Sequence, residues 1–156
     1  MLIAAVSAVL GAFIIDICLP KASLVIYNET KGTLVYKASS KEVLNIYYKY
    51  QQSYDHGIIE EFFVLHKNKI IPILMIYDTD SYDYHGSRYK KTVPEVKEGR
   101  CYVNIREHSG YSEIRYRIGY TIKQEMQITT NNNTKTMLFQ DFGDPGDLLI
   151  MAQFRR

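Results

Sequence analysis

Beyond Lys21 no stretch of this chain repeats its apolar residues at the spacing of an amphipathic helix. The apolar residues come in short runs or strict alternation, and Gly, Asn, Asp and Pro break them up. Val43 to Tyr50 shows the pattern: Leu44, Ile46 and Tyr48 fall on one face, and Asn45, Tyr47 and Lys49 on the other. Ser23 to Tyr27 and Thr33 to Ala38 flank a hairpin turn at Asn28 to Gly32. Ile58 to His66 and Ile70 to Tyr77 flank a turn at Asn68-Lys69. Ile70 to Tyr77 is almost wholly apolar and so predicts a central strand covered on both faces, with Pro72 marking an edge or a bulge near its start. Cys101 to Glu107, Glu113 to Tyr120, Gln124 to Thr129, Thr136 to Phe139 and Leu148 to Phe154 complete the set. The chain has 14 Tyr and no Trp, and Tyr favours strands. The expected fold is all-β, an antiparallel β-sandwich or barrel of about nine or ten strands. At 156 residues the chain suffices for one such domain, over 22–156.

Residues 1–20 differ. Leu2 to Leu19 is apolar apart from Asp16, and Pro20 and Lys21 close it. As a helix it would span roughly 27 Å, close to a bilayer core. A cleaved signal peptide calls for a basic start and a small-x-small site, and no Lys or Arg precedes Lys21. A lipid anchor on Cys18 calls for a small residue before it, where Ile17 stands. The expectation is an uncleaved N-terminal hydrophobic helix, a transmembrane or signal anchor. Lys21 and Lys31 after it would weakly favour a cytoplasmic domain.

The net charge of +2 implies no strongly basic face, so no nucleic-acid partner is expected. Cys18 and Cys101 are expected to be free thiols, and no Cys/His spacing calls for a metal or other cofactor. Asp78, Asp80, Asp83 and His85 place acidic groups at calcium-like intervals, but the central Gly and distal Glu of a calcium loop are missing. Asp141-Phe142-Gly143 stands without the other parts of a kinase site. Asn28 and Asn132 open glycosylation sequons, meaningful only in a secretory pathway.

Asp55, His56, Glu60 and Glu61 gather acid and base groups near one turn, with no nucleophile or oxyanion donor beside them. Glu60 and Glu61 are neighbours on a strand, so one of them must point inward. A carboxylate aimed into a β-core needs a partner or a ligand.

Tyr50 to Phe63, YQQSYDHGIIEEFF, resembles a bacterial and archaeal domain family of unknown function encoded beside TAXI-type TRAP transporters. That family carries a Tyr-x-His-Ser segment, a Glu followed by an aromatic, and an aliphatic strand. Tyr50, Ser53 and Glu61 match, with Phe62 or Phe63 as the aromatic and Ile70 to Tyr77 as the strand. The layout is also similar, from the apolar N-terminal segment to Gly146 and the closing strand. Gln52 stands where the family has His, and the family's Gly-Ala-Gly turn is replaced by Asp78 to His85. The resemblance implies an extracytoplasmic, membrane-anchored accessory domain of a solute transporter. It would contact a transporter membrane subunit or solute-binding protein, or bind a small organic anion, through Tyr50, Gln52, Ser53 and Glu61. No enzymatic activity is expected. The alternative is a structural or adhesive surface protein assembling through its β-sheet.

Overall fold

The computed structural model describes residues 22–52, 55–78, 92–106, 108–120 and 122–155, so the expected N-terminal helix and Cys18 lie outside the described residues. Among these, eleven strands and one short 3-10 turn follow one another: β1 Ala22–Asn28, β2 Thr33–Ser39, β3 Val43–Gln51, β4 Ile58–His66, β5 Lys69–Asp78, β6 Glu95–Lys97, β7 Arg100–Asn104, β8 Glu113–Arg117, β9 Gln124–Thr130, β10 Thr134–Leu138, the 3-10 turn Phe139–Asp141, and β11 Leu148–Arg155. The protein is all-β. Every pairing is antiparallel, in a four-stranded sheet ordered β2-β1-β11-β8 and a seven-stranded sheet ordered β10-β9-β3-β4-β5-β7-β6.

Turn chemistry sets the registers. His66 pairs with Lys69, so the β4–β5 hairpin turns on Lys67-Asn68, one residue earlier than expected. Both residues have positive φ, 46° and 61°, the geometry whose twist matches a two-residue hairpin. Glu98-Gly99 joins β6 to β7 in the same way, with φ of 51° and 73°. The short β6 was not legible in the sequence pattern.

Three bulges shift side chains, one of them at Val35, since Ile26 pairs with Tyr36 and Tyr27 with Leu34. Phe62 pairs with Leu74 and Phe63 with Pro72, leaving Ile73 as the extra residue of β5. Pro72 therefore marks a bulge and not an edge, since β5 lies between β4 and β7. Ile70 exchanges both backbone bonds with Tyr111, so by alternation Pro72 turns its nitrogen away from β4 and breaks no bond of that ladder. In β3, Val43 pairs with Thr130 and Asn45 with Thr129, so Leu44 is looped out. The sequence alternation put Leu44 on the face of Ile46 and Tyr48; the bulge instead leaves it 53% exposed.

The inner faces of the two sheets meet in one core. Leu24 and Ile26 of β1, Leu149 and Met151 of β11, and Ile114 and Tyr116 of β8 pack with Ile46, Tyr48, Phe63, Met126, Ile128 and Phe139. A second cluster, Ile59, Met75, Tyr77, Cys101, Val103 and Ile105, continues the inner face of the larger sheet. Cys101 is a buried free thiol within it.

Strand direction gives the domain two ends. β1 and β3 start at a proximal end, where the three-residue turn 40–42 leads from one sheet to the other and the Asn131 amide donates to the Glu42 carbonyl at 3.0 Å. The turns 67–68 and 131–133 and the end of β11 lie there as well. The connections 29–32, 52–57, 118–123 and 142–147 form the distal end.

Candidate functional site

The segment singled out in the sequence closes the distal end of β3 and β4. Tyr50 is half-buried on the inner face, opposite Gln124 and Ile59, and stacks on Tyr48 with centroids 5.1 Å apart. Gln52 follows the strand. Its amide nitrogen, turned toward Asp55, lies 3.1 Å from both carboxylate oxygens, and its backbone N–H donates to the Gly57 carbonyl at 2.9 Å. Asp55 also accepts from the Gly57 amide at 2.8 Å, and the Gln51 side chain donates to the His56 carbonyl at 3.0 Å. This turn holds His56 in the left-handed region, φ 59°, with its ring exposed. Ser53 lies outside the described residues.

Glu60 and Glu61 part company as strand alternation requires. Glu61 points inward and is 2% exposed, between Tyr48 on β3 and Met75 on β5. Glu60 points outward, where the Arg100 guanidinium donates to it at 3.1 Å and to Asp78 at 3.2 Å. Asp78 further accepts from the Ile58 amide at 2.8 Å. The two carboxylates hold the Arg100 pKa above its ordinary value against the burial that would lower it. Burial and then the Glu60 charge push the Tyr47 phenol up to about 12. The acid and base groups that cluster in the sequence are thus distributed over two faces of the sheet and a turn. Asp78, the first of the calcium-like acids, is committed to Arg100 and Ile58, and the other three lie outside the described residues. No group of three or more potential metal ligands occurs among the described residues.

Two further polar knots were not foreseen. Gln124, 4% exposed, accepts from the Gly119 amide at 2.7 Å and donates to the Tyr48 hydroxyl and the Arg117 carbonyl, both at 2.9 Å. It anchors Tyr48, whose ring meets Tyr116 at 4.5 Å and Phe139 at 5.3 Å. Asn28 is fully buried. It donates to the Phe142 carbonyl and to Asp147, both at 3.0 Å, and accepts from the Lys31 amide at 2.9 Å. That burial closes the first sequon, whereas Asn132 lies exposed in the β9–β10 turn. Lys31 reaches Asp144 at 2.7 Å and Asp147 at 3.6 Å. The Asn28 bond, then the Asp144 amide and Lys31, hold the Asp147 carboxyl below its usual range despite its burial.

No family model, curated protein or solved structure matches this chain.

Proposed function

We propose that the chain is a membrane-anchored, non-enzymatic binding domain on the extracytoplasmic side, an accessory of a TAXI-type TRAP solute transporter. Glu61 carries the reading: a carboxylate at 2% exposure in the middle of a β-sheet's inner face. Holding a carboxylate there costs several kcal/mol of desolvation that its contacts must offset. A site that recognises a charged group has a use for that carboxylate. Tyr50 on the neighbouring strand and Gln52 just beyond its end make up the described part of the site, and Ser53 adjoins them in sequence.

The charge of the site refines what it takes. Glu61 as the site's inner-face carboxylate favours the ammonium group of an amino acid or a basic side chain of a transporter subunit over a bare organic anion. The membrane reading rests on the apolar run Leu2 to Leu19, which ends two residues before β1 begins. Among the described residues no helix is long and apolar enough to cross a membrane. Assembly through sheet edges is disfavoured. Edge strand β6 is three residues long, and the edges β2, β8 and β10 carry Lys37, Arg115, Arg117 and Lys135, charges that oppose strand addition.

The test is a thermal-shift screen of the full chain in detergent against amino acids, small carboxylates and divalent metals. A rise with one class, lost in a Glu61→Gln variant that still melts cooperatively, supports the reading. No shift with any class removes the solute site and leaves the subunit contact, sought by crosslinking in membranes.

A further inference from the structure

The charges of the domain are not used equally at its two ends. At the distal end Lys31 is tied to Asp144 and Asp147, and Arg100 to Glu60 and Asp78, while Lys123 is exposed and makes no ion pair with a described residue. At the proximal end Lys41, Lys67 and Lys69 are exposed and make no ion pair with a described residue, and Lys37 and Lys135 flank them in the same state. The described carboxylates nearby are Glu42 and Glu113, and Glu113 is taken by Arg115 at 2.9 Å. The left-handed Lys67-Asn68 turn projects its lysine from the tip of a hairpin.

Two large apolar side chains are exposed at the same end of the domain, one on each sheet. Leu44, expelled by the β3 bulge, is 53% exposed, and Phe154, paired with Ser23 at the start of β1, is 49% exposed. Exposed lysines at the same end as an exposed Leu and Phe are the composition that settles into a lipid headgroup layer. The cations meet phosphates, and the apolar side chains reach the acyl boundary.

The chain outside the described residues fixes where this end sits. The apolar run ends at Leu19, and β1 starts at Ala22 at the proximal end. So short a tether holds this end of the domain against whatever bilayer the run occupies.

We infer that the proximal end is a docking surface for anionic phospholipid headgroups, made by Lys41, Lys67 and Lys69 with Leu44 and Phe154. This rests on the anchor reading above. It sets the domain's posture: the proximal end lies on the bilayer, and the Tyr50–Gly57 turn at the distal end faces away from it.

The experiment reconstitutes the full chain in nanodiscs of zwitterionic lipid alone or with added anionic phospholipid, and reads lysine acetylation by mass spectrometry. Lys123, exposed at the distal end, is the internal control. In anionic discs, acetylation of Lys41, Lys67 and Lys69 should fall on the order of fivefold, as expected from a lysine engaged at an anionic surface. Lys123 should be unchanged, and salt of about 0.5 M should restore labelling. Equal labelling of the three lysines in both lipids, or an equal fall at Lys123, overturns the docking surface. A chain that fails to co-float with lipid overturns the anchor reading and this inference together. A chain that floats without differential labelling overturns this inference alone.

Discussion

Removing the buried amide of Asn28 should be one of the most damaging single changes to the domain. In Asn28→Ala the side-chain bonds to Asp147 and to the Phe142 carbonyl disappear, and the Lys31 amide loses its acceptor. The bond to Asp147 is buried, and losing it removes one partner of a carboxylate that keeps the Asp144 amide and Lys31, at a cost of about 1–2 kcal/mol. The other two are partly buried, so water recovers some of each loss, at about 0.5–1 kcal/mol apiece. The sum is about 3 kcal/mol, or about 10 °C in melting temperature for a domain of this size. A pH signature accompanies it. The Asp147 carboxyl is held below its ordinary value of 3.8, so the stability it contributes is present above that value and is lost as pH falls through the folded pKa. Without Asn28, the largest cause of that depression, the loss on acidification below about pH 4 should be shallower than in the wild type. Denaturant unfolding of the full chain in detergent, followed by tyrosine fluorescence at pH 7 and in acid, reads both effects. A change under about 0.5 kcal/mol with an unaltered acid limb would refute the assignment of this knot as a structural clasp.

Gly143→Ala should strike the same clasp from the other side. A Cβ there would sit 2.5 Å from the Asn28 amide nitrogen and 2.7 Å from an Asp147 oxygen, so about 1–3 kcal/mol should be lost in the same assay. Gln124→Leu should cost about 2–3 kcal/mol, because the Gly119 amide and Arg117 carbonyl lose their partner, and near-ultraviolet circular dichroism should report the loosened Tyr48 cluster. A spectrophotometric titration should show a tyrosine ionising near pH 12 that is absent in Tyr47→Phe. Since that pKa is raised when folded, stability should fall as pH rises from 10 towards 12, and less steeply in the variant.

Period-two alternation, with turn residues between runs, was enough to place most strands and to turn one of Glu60 and Glu61 inward, because side-chain direction in a strand is a local property. It failed where the ladder slips. The bulge at Leu44 inverts the face that simple alternation assigns, and nothing in the residues around it announces the extra position. Pro72 did announce its bulge, because a ring without an N–H restricts where a strand can carry it. Asn28 read as a turn residue, which is half of its role. Its partners Phe142 and Asp147 lie more than a hundred positions away, and no pattern within β1 points to them. Gln124 was legible as part of a strand, whereas its bonds to Tyr48 and Arg117 arise only when the β8–β9 connection folds back.

The middle of the four-stranded sheet pairs the first strand with the last, from Ala22 beside Arg155 to Asn28 beside Leu149. During synthesis β1 can form its hairpin with β2 well before its other edge finds a mate, because β11 is made more than a hundred residues later. Over that interval β1 offers an open row of backbone donors and acceptors to any neighbouring nascent chain. Closure is then a long-range event that should be slow and sensitive to loss of the final residues. Truncation within β11 would therefore expose a sheet edge, and should appear as aggregation before it appears as any change in binding.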